Sequence, residues 1–349
     1  MRHNRRTTKK ISELPSLFSE EEIYGDTPAV KTTVISSPVL QEAEDTVAPD
    51  PSELKLGEEF RHLRKKLRFM SFGSGSSGNC SYIGTSDCGL LIDAGIDSNF
   101  VLSEMARNGI DARSIRGIIL THDHGDHVKY AYNLVKRQPK ITRPDGTYSS
   151  WQIFATPRTI EGILRRHNLS RRIRDYHTPI YKEHEYVFGD MRVIPFETSH
   201  DGSDNMGFSI TLGDIRFVIC TDTGVITQRA DFYLRQATSI MLESNYDNIM
   251  LERGRYPEYL KARIRSQIGH LDNVDASQYI ASTFRPSIRH LFLCHLSEEN
   301  NTPKIALQNI ISTLRGIGVN VASTSAEIAP GSPYVTALPR YRSSELFIL

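Results

Sequence analysis

The stretch "IILTHDHGDHVKY", residues 118–130, puts three histidines and two aspartates into the six positions from His122 to His127. His122 and His124 are two apart. On a helix that spacing points them about 200° apart, but on extended chain they share a side. They can therefore grip one ion where a strand over 118–121 ends. Gly125 permits a sharp turn, after which Asp126 and His127 open the following helix and can face a second ion. Imidazole and carboxylate suit zinc, and also manganese or iron. The competing readings are a solvated polar loop and a lone structural zinc. Structural zinc favours a closed, cysteine-rich set, and this stretch has no cysteine.

A binuclear site also needs ligands from far along the chain, and candidates recur at the ends of apolar runs. His200 ends "VIPFETSH", Asp222 follows "IRFVIC" in "CTDTG", and His295 lies in "HLFLCHLS", where 291, 293 and 295 share a face opposite His290. Asp93 ends "GLLIDAG", where a buried carboxylate beside clustered histidines would orient a ligand from behind. Singly, each is as well explained as a satisfied polar residue at a strand end. In this order, together, they argue for a metal centre.

The chain around them has 349 residues with 39% hydrophobic content, enough for one large domain or two small ones. A net charge of +1 excludes the global basic character of a protein that coats DNA. Cys80, Cys88, Cys220 and Cys294 show no paired spacing and read as reduced core residues. With no signal-like apolar region and no long apolar run, a soluble, cytoplasmic protein without a membrane span is expected. Residues 1–66 are rich in Ser, Thr, Pro and Glu and read as a disordered extension, closed by a short basic helix in "SELKLGEEFRHLRKKLRFM". The functional alternative for it is a tail that binds a partner or nucleic acid.

From Leu67 short apolar or alternating runs separated by glycine and serine read as strands and hairpins. "SNFVLSEMARNG" and "HVKYAYNLVKRQ" read as helices, and "WQIFATP" with "RTIEGILRRHN" as strand then helix. Hairpin turns are expected at Gly189-Asp190 and Gly213-Asp214. Strand–helix alternation follows to about residue 326, and the segment 327–349 has no assignable pattern. The class is α/β, with packed sheets covered by helices.

The motifs "LLIDAG", "THDHGDH", "ETSH", "CTDTG" and "LCHLS" resemble the series of the metallo-β-lactamase fold hydrolases, over about residues 67–326. The resemblance implies a four-layer αβ/βα sandwich and two divalent ions. By it, His122, His124 and His200 would hold one metal, and Asp126, His127 and His295 the other. Asp222 would bridge them, and Asp93 would support the site from behind. The β-lactam-cleaving members typically have cysteine where Asp222 stands, so a lactamase is disfavoured. Cys220, two residues earlier, is not read as a ligand.

Two further stretches, with "CHLSEENNTP" (294–303), resemble the YycJ-like (WalJ-like) group of this fold, regarded as nucleases or exonucleases. "SFGSGSSGNCSYIGT" (71–85) is either a tight first hairpin or a phosphate nest, in which Ser74, Ser76 and Asn79 would meet substrate. "LESNYDNIMLERGRYPEYLKARIRSQIGHLDN" (242–273) carries Arg253, Arg255, Lys261, Arg263 and Arg265 ahead of His270. It reads as a solvated helix face or as a clamp for anionic substrate. The phosphodiesterase branch of the fold, tRNA 3′-processing enzymes included, places a histidine like His270 near the scissile phosphate. That similarity implies leaving-group protonation or phosphate binding by His270. Asp126 would orient a hydroxide generated between the metals or accept its proton. "RRHNLSRRIR" (165–174) reads equally as a track for a nucleic-acid backbone and as a charged surface.

The resulting expectation is a binuclear phosphodiesterase acting on nucleic acid, a DNA exonuclease ahead of an RNA one. The alternatives are a thioester or small-ester hydrolase of the glyoxalase II kind, a small-molecule phosphodiesterase, and a binding module that has lost its metals.

Overall fold

The computed structural model describes residues 31–34, 66–139, 141–142 and 148–349. The extension expected over 1–66, with its basic helix, lies outside the described residues apart from residue 66 and the strand Lys31–Val34, which the sequence reading does not anticipate.

Two mixed sheets make up the body. One runs in the order Phe347–Ile348, Arg68–Gly73, Cys80–Gly84, Gly89–Ile92, Ile115–Ile119, Gln152–Ala155, His177–Pro179. The other runs Lys31–Val34, His184–Phe188, Met191–Glu197, Met206–Leu212, Ile215–Cys220, Ser239–Glu243, His290–Cys294, Tyr334–Ala337. Each begins as antiparallel hairpins and becomes parallel halfway across. The change comes between Gly89–Ile92 and Ile115–Ile119 in the first sheet, and between Ile215–Cys220 and Ser239–Glu243 in the second. This likeness of the two halves is one of architecture, without a sequence repeat. Gly189 and Gly213 make the expected hairpin turns at φ 58° and 55°, which glycine adopts without steric cost.

Side-chain alternation sorts these strands into layers. From Ile215–Cys220, Phe217 and Ile219 face the other sheet, while Val218 and Cys220 face helices. Between the sheets Phe69 meets Phe217 and Phe292 with ring centroids 4.8 and 4.9 Å apart. Behind the first sheet lie Val101 and Met105 of Ser98–Arg107, Leu134 and Val135 of Ala131–Arg137, and Ile160 and Ile163 of Pro157–Arg166. Behind the second lie Leu234 of Gln228–Leu234, Ile280 of Asn273–Thr283, and Ile310 and Leu314 of Pro303–Gly316. Helix, sheet, sheet, helix: this is the four-layer α/β sandwich.

Two details depart from the sequence reading. The helix expected over "HVKYAYNLVKRQ" is divided into Gly125–Val128 and Ala131–Arg137, because the N–H of Tyr130 turns aside to donate to Ala94 O at 2.8 Å. The unassigned segment after 326 supplies an edge strand to each sheet, Tyr334–Ala337 and Phe347–Ile348. No helix among the described residues is long and apolar enough to cross a membrane.

Candidate metal centre

Parallel strands point their carboxyl ends to one edge of a sheet, and ligand sites of open α/β sheets form outside that edge. Asp93 directly follows Gly89–Ile92, His295 directly follows His290–Cys294, and Asp222 is two residues past Ile215–Cys220. All three are non-glycine residues at positive φ, 61°, 53° and 50°. Such backbone costs of order 1–3 kcal/mol each and persists where surroundings over-determine it, commonly at functional sites. His122 and His124 follow Ile115–Ile119, and Asp126 and His127 occupy the first turn of Gly125–Val128. His200 lies three residues past Met191–Glu197, and Glu243 is the last residue of Ser239–Glu243.

Hydrogen bonds assign the ring nitrogens. His127 Nδ1 is 2.7 Å from Asp93 Oδ2, His200 Nδ1 is 2.9 Å from Gly269 O, and His295 Nδ1 is 2.9 Å from Glu243 Oε1. Each ring therefore donates backward and turns Nε2 to the centre, the arrangement that fixes a metal-binding tautomer. His122 bonds Thr121 Oγ1 through Nδ1 at 3.0 Å, and its buried Nε2 has no hydrogen-bond partner. His124 brings Nδ1 to 3.2 Å from His200 Nε2.

The inward atoms are spaced as metal ligands are. His127 Nε2 lies 3.5 Å from Asp126 Oδ2 and 3.4 Å from Asp222 Oδ2. His295 Nε2 lies 3.4 Å from both Asp126 Oδ2 and Asp222 Oδ1. Ligands held about 2.0–2.2 Å from a tetrahedral ion are about 3.4 Å from one another. The donors of His122, His124 and His200 also lie within 4.8 Å of one another. The orphaned Nε2 of His122 and this spacing fit a divalent cation.

Charge points the same way. Burial, with His127 adding to it, holds His122 well below the ordinary imidazole range, and burial with His200 brings His124 down to about 4. Burial likewise lowers His200. These rings are neutral, the form that binds metal. Burial opposes a proton on His127 and His295 too, but Asp222 and the neighbouring carboxylates overcome it. They raise His127 well above its usual value and His295 to about 10. Burial resists ionisation of Asp222 and Asp126, yet His295 and His127 hold Asp222 well down, and His127 lowers Asp126. Asp126, Asp222 and, held down by His270 against its burial, Glu243 thus call for compensating positive charge, which a divalent cation supplies.

The structure brings together all seven expected ligands, with Asp93 behind His127. His270 stands beside them, its ring centroid 4.9 Å from that of His200 and 5.2 Å from that of His295. Cys220 faces the helix-side core, and burial pushes its thiol up. The Gly/Ser loop is a hairpin between Arg68–Gly73 and Cys80–Gly84. The nest reading meets an obstacle: the N–H groups of Ser74, Gly75, Gly78 and Asn79 donate to Pro339 O, Asn79 Oδ1, Gly75 O and Asp126 O. Ser74 is buried and its Oγ accepts from the N–H of His295 at 2.9 Å, Ser76 is exposed, and Asn79 puts Nδ2 2.9 Å from His127 Nε2. In the basic stretch, Lys261 is buried and donates to Glu252 O and Glu258, so it does not belong to a clamp. Arg265 pairs with Glu252, while Arg263 pairs with Asp201 at 2.6 Å.

Two residues are not anticipated by the sequence. Asp201 places Oδ1 3.3 Å from His124 Nε2 and 3.5 Å from His200 Nε2. Glu243, fully buried, contacts Nδ1 of His295 and, at 2.7 Å, Nδ1 of His270. A carboxylate closing the apolar run "SIMLE" is the signal that singles out Asp93, and it applies here equally.

A family model described as the Beta-lactamase superfamily domain matches residues 89–295, the span that holds every one of these ligands. This chain belongs to that superfamily. Within it, the chain is 30% identical over 269 residues to exodeoxyribonuclease YycJ of Bacillus anthracis, covering 76% of this chain and 97% of that protein. It is 28% identical to exodeoxyribonuclease WalJ of Streptococcus pneumoniae, covering 75% and 96%. The YycJ-like resemblance of the sequence is thereby shown. In fold it is similar to the metallo-β-lactamase fold protein YhfI of Bacillus subtilis, with a TM-score of 0.55 at 16% identity, covering 81% of this chain and 99% of YhfI. As a superfamily member with this donor set, the chain is a metal-dependent hydrolase.

Proposed function

We propose that the chain is a binuclear metal-dependent phosphodiesterase that degrades nucleic acid, and specifically a DNA exonuclease. His122, His124 and His200 would hold one ion, and Asp126, His127 and His295 the other. Asp222 would bridge them: its oxygens lie 3.4 Å from His127 and His295 of the one set, and its Oδ1 lies 3.9 Å from His200 of the other. An oxygen and nitrogen donor set suits zinc first, then manganese or iron. When bound, the ions would acidify water to supply a nucleophile at neutral pH and offset charge on the phosphoryl oxygens.

The chain's own residues handle protons. Asp126, whose Oδ2 lies near both His127 and His295, would orient the attacking water or accept its proton. A leaving alkoxide departs poorly without a proton. With Nδ1 bonded to Glu243, His270 delivers that proton from Nε2. This His270–Glu243 pair carries the reading against a thioester, because a thiolate leaving group, with a thiol pKa of about 8.5, needs no such donor. The choice of nucleic acid follows the relatives, which are named exodeoxyribonucleases.

The test is a digestion time course with metal-loaded protein on end-labelled DNA and RNA, single- and double-stranded, with Asp126→Ala protein alongside. Progressive loss from one end of DNA, absent in the variant, is the expected result and gives the polarity. Failure to digest any strand by protein that retains two metals would overturn the proposal in favour of a small phosphodiester or a thioester.

A further inference from the structure

A cleft of about 550 Å³ is lined by Pro157, Arg158, Glu161, Arg165 and Ser203. Ser203 connects it to the metal centre. Its N–H and Oγ donate to the carboxylate of Asp123, at 2.9 and 2.7 Å, and Asp123 sits between His122 and His124 in the chain. The opposite wall is the helix Pro157–Arg166, on which positions 158, 161 and 165 share one face. The helix cannot drift from the metal loop. Gly162 packs so closely that a Cβ there would lie 1.9 Å from Asp123 Oδ2 and 2.5 Å from Ser203 Oγ. His167, just past the helix, is 2.7 Å from Asp123 O through Nε2.

The charge of this wall is positive. Glu161 is taken up by Arg174 at 2.8 Å, and Arg166 turns back toward Asp123 at 3.4 Å. Arg158 and Arg165 are exposed and have no ion-pair partner among the described residues. Arg263 and Arg265, by contrast, are both engaged with carboxylates. Two free guanidinium forks, seven residues or about 10 Å apart along a helix, match phosphates bidentately. The lining holds no aromatic ring on which a base could stack, as suits sequence-independent contact with a backbone.

We propose that this cleft is a backbone subsite, which takes the phosphates of the polynucleotide strand a few nucleotides from the scissile bond. The inference rests on the nuclease reading above and identifies where that substrate lies. Grip on the strand comes from the 157–166 helix.

The experiment compares wild-type enzyme with Arg158→Ala/Arg165→Ala and Arg158→Lys/Arg165→Lys on a long single strand across a salt series. Thermal unfolding and metal content are measured beside it. The alanine pair raises KM about tenfold, lowers kcat much less, and flattens the dependence of log KM on log salt by about 1.4, the change that follows when two phosphates of a single strand are no longer neutralised. The lysine pair, which keeps the charges, recovers most of the salt slope. Unchanged KM and slope in a folded, metal-bound alanine pair, with wild type digesting the strand, overturns the subsite alone. No digestion by wild type overturns the nuclease reading and the subsite together.

Discussion

Glu243 Oε1 lies 2.7 Å from Nδ1 of His270. The same oxygen is 2.9 Å from Nδ1 of His295, so one buried carboxylate ties a proposed metal ligand to the proposed proton donor. Its other oxygen accepts the N–H groups of Thr223 at 2.8 Å and Leu271 at 3.3 Å, which prevents it from swinging away. Glu243→Gln keeps the shape and removes the charge. Metal affinity is expected to weaken about 10–100-fold, as for other carboxylates behind a ligating histidine. At saturating metal, kcat should still fall by about 100-fold. Chelator competition and kcat at high metal read the two effects separately. Wild-type values for both would remove Glu243 from the mechanism.

His270→Ala separates chemistry from metal binding. The variant keeps its metals, because none of the seven proposed ligands is replaced, and turns over an ordinary phosphodiester about 10²–10⁴-fold more slowly. With a p-nitrophenolate leaving group, which departs without help, the deficit should shrink to a few-fold at most. An equal deficit on both substrates would assign His270 to phosphate binding instead.

Gly95 is required by a close backbone approach. A Cβ there would lie 1.6 Å from the carbonyl oxygen of Asp126, and the N–H of Asn79 already donates to that same oxygen at 2.8 Å. Gly95→Ala must push the 122–127 loop outward, at a cost of about 3 kcal/mol in the manner of an overpacked core. Denaturant unfolding measures the loss, and metal content should fall with it. A variant as stable as wild type would mean that the loop yields freely.

His290 offers a pH test away from the ligands. Burial, and secondarily Arg289, hold its imidazole down at about 4, below the ordinary 6.5. The unfolded chain therefore binds the extra proton between those values. The stabilisation from a neutral His290 is complete above about pH 6.5 and is lost as pH falls toward 4, on the order of 3 kcal/mol in all. His290→Gln lacks this titration. Between pH 6.5 and 4 its unfolding free energy should drop less than that of wild type, and parallel pH profiles would contradict the assignment.

Much of the site is legible because metal ligands obey local rules. A two-residue spacing on extended chain, a glycine turn, and polar residues closing apolar strands all leave marks in the order of residues, and they point to His122, His124, Asp126, His127, His200, Asp222 and His295. Glu243 leaves the same mark but is masked, because "SIMLES" adjoins a basic run that draws the eye to substrate binding. Lys261 and Arg265 look like a clamp for the converse reason. A cation in a sequence carries no sign of whether a carboxylate answers it.

The sequence by itself determined the α/β class and singled out the candidate ligands and the loop that carries four of them, because periodicity and strand-end chemistry are local properties. Only the tertiary structure decided which arginines are free and which are neutralised. It also decided that the last segment completes both sheets, and that Glu243 joins His295 to His270. Pairing of charges and closure of sheets join residues far apart in the chain, and the choice among many possible partners is made by packing.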